Sequence, residues 1–203
     1  MAEELDTRSL LINATVKELV KTGPTALRVS TIAKQVGISE ASVYHFFKNK
    51  LDLLESSQIE SYRRSHVEML LPFQASVDLS ESIVDFNRAI RKLFAMVHLP
   101  ERHAIRAVRV QALGAAVTSE RLRKALNEIN EEVQRSIAEV ITKGQKLGWV
   151  NPDSDARSLA YWINGVITGR ILMEMNPDWG DRSHWDEISV NAVLRAFDPE
   201  PKN

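Results

Sequence analysis

The sequence contains no cysteine. That excludes disulfides, thiolate-bound zinc, iron–sulfur clusters and thiol catalysis together, and it fits a reducing compartment. Glycine is scarce and dispersed, eight among 203 residues, so no glycine-rich loop is available to cradle phosphates. Long apolar runs are missing as well. The least charged stretch, Ser158–Gly169, falls far short of the ~20 residues needed to cross a bilayer, and the acidic start MAEELDTRSLL lacks the order of a secretory leader. The expectation is a soluble cytoplasmic protein with no membrane association. No HExxH or GxSxG motif is present. His98, Glu101 and His103 lie close together, but Pro100 breaks any helical metal-binding face between them. No metal site, no cofactor and no enzymatic activity are expected.

What the sequence does contain is helical periodicity. Apolar residues recur at three- and four-residue spacing almost throughout, with no convincing alternating run, which predicts an all-α protein. A first helix is expected over Thr7–Lys21, with Leu10, Leu11, Ala14, Val16 and Leu19 on its apolar face and Gly23-Pro24 as its stop. Short helices follow at Ser30–Val36 and, capped by Ser39, at Glu40–Phe46. Asn49 and Asp52 form a capping-box-like pair opening a fourth helix, expected to end near Leu70 and Pro72. Further helices are predicted from a Ser80 cap to Leu99, over His103–Ala115, from Ser119 to Lys146, from an Asp153 or Ser154 cap to Met175, and over His184–Phe197. The last residues, DPEPKN, read as a tail.

Charge is unevenly placed. The whole chain carries −1, yet Arg8–Lys50 holds seven basic residues against only Glu18 and Glu40, a local +5. Such a patch is what attraction to phosphates requires. Within it, Arg28–Lys50 (RVSTIAKQVGISEASVYHFFKNK) reads as two short helices joined at Gly37. Ile32, Ala33 and Val36 face inward from the first, Ile38 plugs the turn, and Val43 with Phe46 or Phe47 buries the second. Glu40, Ala41, Ser42, Tyr44 and His45 remain exposed, where small and polar side chains can approach base edges in a major groove.

Ile32-Ala33-Lys34-Gln35-Val36-Gly37-Ile38-Ser39, followed by Val43-Tyr44-His45-Phe46-Phe47-Lys48-Asn49-Lys50, resembles the signature of the tetracycline-repressor-like (TetR/AcrR) family. Thr7-Arg8-Ser9-Leu10-Leu11, Ala14 and Gly23 resemble that family's first helix. The resemblance covers the first third of the chain. It implies a helix-turn-helix DNA-binding domain over residues 5–65, with the helix-turn-helix at about 28–47, and an effector-binding and dimerisation bundle over 66–203. By resemblance, Ser30 and Thr31 touch phosphate or an edge base, and Glu40, Ala41, Ser42 and His45 face bases. Tyr44 bonds a phosphate through its hydroxyl, and Lys50, helped by Lys48, binds phosphate at a helix N-terminus. Glu40 departs from the basic residue or glycine common in the family; two roles stay open for it, reading cytosine or simply favouring the helix dipole.

The implied partners are an operator in double-stranded DNA, a second copy of the chain, and a small-molecule effector of unknown identity. Candidate effector-binding residues are Phe86, Asn87, Met96, Arg106, Arg109 and Trp162. Arg106, Arg109 and Arg170 sit among apolar residues and need partners, either an anionic ligand or an internal carboxylate such as Glu174. Ala156–Met175 is apolar over more than one stripe, so that one side can face a core and another a partner subunit. Gly165, Gly169 and Met173 are the candidate dimer-interface residues. A helical adaptor that binds no DNA is the competing reading, and burial of the Ser42/Tyr44/His45 surface would favour it.

Overall fold

The computed structural model describes residues 7–200; the ends of the expected domains (residues 5 and 203) and of the expected tail lie outside them. Among the described residues there are nine α-helices, two short 3-10 turns and no strand. The helices are α1 (Thr7–Ala26), α2 (Val29–Val36), α3 (Glu40–Phe46), α4 (Lys50–Asp78), α5 (Ile83–Val97), α6 (His103–Ala116), α7 (Glu120–Lys146), α8 (Ala156–Glu174) and α9 (Ser183–Phe197). The 3-10 turns are Pro100–Arg102 and Pro177–Trp179. The all-α expectation holds.

Local chemistry explains most boundaries. Gly23 adopts φ 73°, ψ 172°, so α1 breaks there and Pro24 opens one further turn. Ser119 accepts from the Leu122 N–H at 3.2 Å and starts α7 as expected. Other expectations need correction. Leu10 is exposed, and α1 buries Leu11, Ile12, Ala14, Thr15 and Leu19 instead. The cap of α5 is Ser82, which accepts from the Asp85 N–H at 3.2 Å, while the Ser80 hydroxyl donates back to the Ser76 carbonyl at 3.1 Å. The cap of α8 is Asp155, whose Oδ1 accepts from the Ser158 N–H at 2.7 Å. Pro72 does not end α4, which continues to Asp78. Met69, Phe73 and Val77, buried at four-residue spacing, carry one apolar face across the proline. Their burial outweighs the one hydrogen bond that proline removes at an exposed position.

The chain forms two compact units: residues 7–65 with Ala107–Leu126, and His66–Arg106 with residues 127–200. The first has a core of Leu11, Ile12, Ala14, Leu27, Val29, Ile32, Ala33, Val43, Phe47 and Leu53. The core of the second includes Phe73, Val77, Phe86, Ile90, Phe94, Ile141, Val150, Ile163, Val193 and Phe197.

Candidate nucleic-acid interface

The site is built around the α2–α3 turn. Gly37 takes φ 80°, ψ 27°, a left-handed conformation that costs an L side chain roughly 1–2 kcal/mol. This lets the Ile38 N–H reach the Ala33 carbonyl at 3.1 Å and the Gly37 N–H reach Lys34 at 3.3 Å. Those two bonds are the pair that closes a Schellman helix end. Ile38 then packs onto the core of the first unit. Ser39, in extended conformation, caps α3 by accepting from the Ser42 N–H at 3.0 Å.

One side of α3 is inside and the other outside. Val43 is buried, and so is Phe47, which settles the choice left open between Phe46 and Phe47. Phe46 is 40% exposed and Tyr44 45% exposed. Ser30, Glu40, Ala41, His45, Lys48 and Lys50 are exposed, while Thr31 and Ser42 are half-buried. The Ser42 hydroxyl lies 2.7 Å from that of Ser39, so it is partly engaged in the cap. Glu40 occupies the first turn of α3, where a carboxylate suits the helix dipole. Burial of this surface, which would have favoured an adaptor, is not observed.

Supporting contacts fix the surface. The guanidinium of Arg8 lies 5.1 Å over the Phe47 ring. Gln35 Nε2 donates to Glu18 Oε2 at 3.0 Å, tying down one of the two acids in the basic segment. At the start of α4, Asn49 Oδ1 accepts from the Asp52 N–H at 2.9 Å, as the cap pattern predicts. Asp52 Oδ2 in turn accepts from the Lys48 N–H at 2.9 Å. Burial opposes ionisation of Asp52, but the Lys48 amide and the Arg121 guanidinium outweigh it and hold the carboxyl below its ordinary value. Sequence reasoning missed two features here. Phe46 is an exposed aromatic beside the polar residues of α3. Arg121, which reaches Asp52 from 69 positions away, leaves no local signal.

The candidate effector residues do not gather at one place. Phe86 is sealed in the core of the second unit, with ring centroids 5.9 Å from Trp149 and 6.0 Å from Phe197. Asn87 is half-buried. Met96 lines a cleft of about 80 Å³ with Met69, Pro72, Phe73, Lys92 and Leu93. Arg109 belongs to the first unit and stacks 5.6 Å over Tyr62. Arg106 is buried and pairs in a fork with Glu174, with Nε donating at 3.0 Å and Nη2 to the other oxygen, while Nη1 donates to the Val97 carbonyl at 2.6 Å. The internal carboxylate is therefore its partner. Trp162 lies on the outer face of α8 and α9, in an open groove of about 450 Å³ with Gly165, Val166, Gly169, Trp185 and Ile188. Met173 is 3% exposed. It shares the inner face of α8 with Ala160, Ile163 and Arg170, so its placement at a dimer interface is corrected.

The fold and this surface define a helix-turn-helix DNA-binding protein with an all-helical second unit. Residues 11–56 match the bacterial regulatory proteins of the tetR family. The fatty acid metabolism regulator protein of Bacillus subtilis is 27% identical over 188 residues, 92% of this chain and 91% of that protein. TtgR, an HTH-type transcriptional regulator of Pseudomonas putida, is 21% identical over 201 residues, 94% of this chain and 93% of that protein. A TetR-family transcriptional regulator from Cytophaga hutchinsonii shares the fold with a TM-score of 0.72 at 17% identity, over 96% of each chain. FadR of Bacillus subtilis, solved in complex with stearoyl-CoA, shares it at 0.66 and 21% identity, over 93% of this chain and 98% of that one. Residues 11–56 thus carry the DNA-binding region of the tetR family of bacterial regulatory proteins, and the curated relatives that this chain resembles over nearly its whole length are transcriptional regulators. Among the described residues no helix is long and apolar enough to cross a membrane.

Proposed function

We propose that this protein is a homodimeric repressor that binds a near-palindromic operator and releases it when a small molecule binds the second unit. The observation that carries the reading is the α3 surface. Its buried side is sealed by Val43 and Phe47, while Tyr44, His45, Lys48 and Lys50 stay exposed beside it. In this reading Ala41, Ser42 and His45 approach bases, with Glu40 at the edge of the same surface. Ser30, Thr31, Tyr44, Lys48 and Lys50 hold phosphates, Lys50 at the N-terminus of α4. The second copy docks through the α8/α9 groove around Trp162, Gly165 and Gly169, where Ile188 is 70% exposed. Two features support an effector in the second unit. One is the apolar cleft at Met96 with Lys92 beside it. The other is Gln134, whose side-chain amide is buried without a hydrogen-bond partner among the described residues and which a ligand's polar group would satisfy. Stearoyl-CoA, present in the solved complex of FadR, is the first ligand to try.

The test begins with selection from randomised duplex DNA. A site with two-fold symmetry and half-sites about one helical turn apart is expected. Lys50→Ala and Tyr44→Phe should weaken binding to all sequences, and Lys50→Ala should lower the salt slope by about 1. Normal binding by both variants across several salt concentrations would overturn these assignments.

A further inference from the structure

The turn that carries Lys48 and Lys50 is held from far along the chain. Arg121, in the first turn of α7, donates through Nη1 to Asp52 Oδ1 at 2.7 Å and to Glu55 Oε2 at 3.2 Å, and through Nη2 to Ser56 Oγ at 2.9 Å. One residue outside that helix, the Ser119 hydroxyl donates to the other oxygen of Glu55 at 2.7 Å. Asp52 thus spends Oδ1 on Arg121 and Oδ2 on the Lys48 amide. All these residues belong to the first unit. Capping of α4 needs only Asn49 and Asp52 and calls for no arginine from a helix 69 positions away. Glu55 is buried, yet its two oxygens serve α7 rather than the core around it. Arg121 itself is half-exposed, and a pair of that exposure contributes little to stability. What three directed hydrogen bonds do supply is a fixed geometry.

We propose that Arg121 is a positioning residue for DNA binding, clamping the first turn of α4 so that Lys48 and Lys50 are presented in one arrangement; this rests on the reading of those lysines as phosphate contacts. The relay has three links: the α7 guanidinium, the Asp52 carboxylate and the Lys48 N–H. Because α7 is one continuous helix that leaves the first unit after Leu126, a rotation or shift of α7 pulls on Asp52. The phosphate-binding turn loosens without any change in the recognition helix. The clamp therefore gives a route by which a movement of α7 reaches the DNA contacts.

The experiment has two readouts on the full-length protein. In Arg121→Ala, the Lys48 amide should exchange its hydrogen roughly tenfold faster, with the core amides of α2 and α3 unchanged. Affinity for the selected operator should fall roughly fivefold in the wild-type background and less than about twofold in a Lys48→Ala/Lys50→Ala background, because the clamp acts through those lysines. Arg121→Lys keeps the charge but loses the fork, and should show the faster exchange with an intact fold. Unchanged Lys48 exchange in both variants would overturn the clamp. Equal affinity losses in the two backgrounds would overturn it too, since Arg121 would then act as a charge of its own. A wild-type protein that binds no operator would sink the DNA-binding reading, and faster exchange would then mark a purely structural clamp.

Discussion

At the scale of single residues, glycines separate conformational need from spatial need. Gly144 lies buried in α7, and a Cβ built there would sit 2.7 Å from Val150 Cγ2 and 3.4 Å from the Phe86 ring. A helix interior gains roughly 0.5–1 kcal/mol when glycine becomes alanine, but overpacking a core costs about 1–3 kcal/mol. Gly144→Ala should therefore destabilise. Gly114, in α6, has open space around its Cβ position and no positive φ, so Gly114→Ala should stabilise by roughly 0.5–1 kcal/mol. Urea melts of the two variants check both signs, and a Gly144→Ala protein as stable as the wild type would mean that Val150 yields freely. Gly37 is a third case, needed for its φ of 80° rather than for space. Its role could be read from the sequence, because a glycine between two short amphipathic patterns has local causes. The role of Gly144 could not, since Val150 meets it only once the chain has turned at Gly148 (φ 71°).

At the scale of elements, the ends of α5, α6, α8 and α9 meet in a buried ionic cluster. Glu174, with its side chain 4% exposed, accepts from Arg106 and Arg170 and lies 3.1 Å from His103 Nδ1. Arg170 also donates to Asp186 at 2.7 and 3.0 Å. Burial works against ionisation of Glu174, but Arg106, His103 and Arg170 prevail and hold its carboxyl below the ordinary value. Glu174→Leu would leave two buried guanidinium groups short of a partner, and should cost about 3–5 kcal/mol. Adding Arg106→Met should recover part of that loss, which a double-mutant cycle by denaturant melts would measure. His98 lies beside the same cluster, edge-on to Phe94, with Nδ1 3.1 Å from Asp186. Its pKa is pushed down to about 4, chiefly by burial; Asp186 opposes this, and Arg170 and Arg106 reinforce it. The unfolded chain therefore takes up a proton at His98 near pH 6.5 that the native state refuses until about 4. Stability should fall as pH drops through that window, and His98→Gln should flatten the fall. Identical melting-temperature profiles for variant and wild type between pH 7.5 and 4.5 would exclude His98 as the cause. The sequence offered half of this cluster. Arg106 and Arg170 stood out as charges on apolar faces, and Glu174 as one possible partner. Asp186 went unnoticed, and His98 and His103 were weighed only as a metal-binding group, because pairs 16 or 71 residues apart depend on how the helices pack. Helix caps show the same limit more mildly. The segments before α5 and α8 each offer several capping residues within a few positions, and the caps fall on Ser82 and Asp155.

At the scale of the whole molecule, the proposed function links operator recognition to effector release through dimer geometry. A near-palindromic site is read only if two recognition helices are held about 34 Å apart, and the α8/α9 groove is the apolar surface proposed to hold them. Gly165 faces open space, so Gly165→Arg should leave each subunit folded while driving the dimer apart in sedimentation. Operator affinity should then fall far more than affinity for random DNA. A ligand can release operator only by binding the released conformation more tightly. A coupling of ~1–3 kcal/mol corresponds to a ~5–150-fold change in operator affinity. Reciprocity requires operator DNA to weaken ligand binding by the same factor. With a ligand found by thermal-shift screening, calorimetry is run on wild-type dimer with and without saturating operator, and again on Gly165→Arg. The wild type should lose ligand affinity in the presence of operator by the factor seen in DNA binding. The monomeric variant should keep its ligand affinity and lose the coupling, because neither half of the pair is then held against the other. Equal ligand affinities with and without operator in the wild type would mean that the ligand does not act by release. Coupling that persists undiminished in the monomer would place the switch within one subunit, and the α8/α9 face would have no part in it.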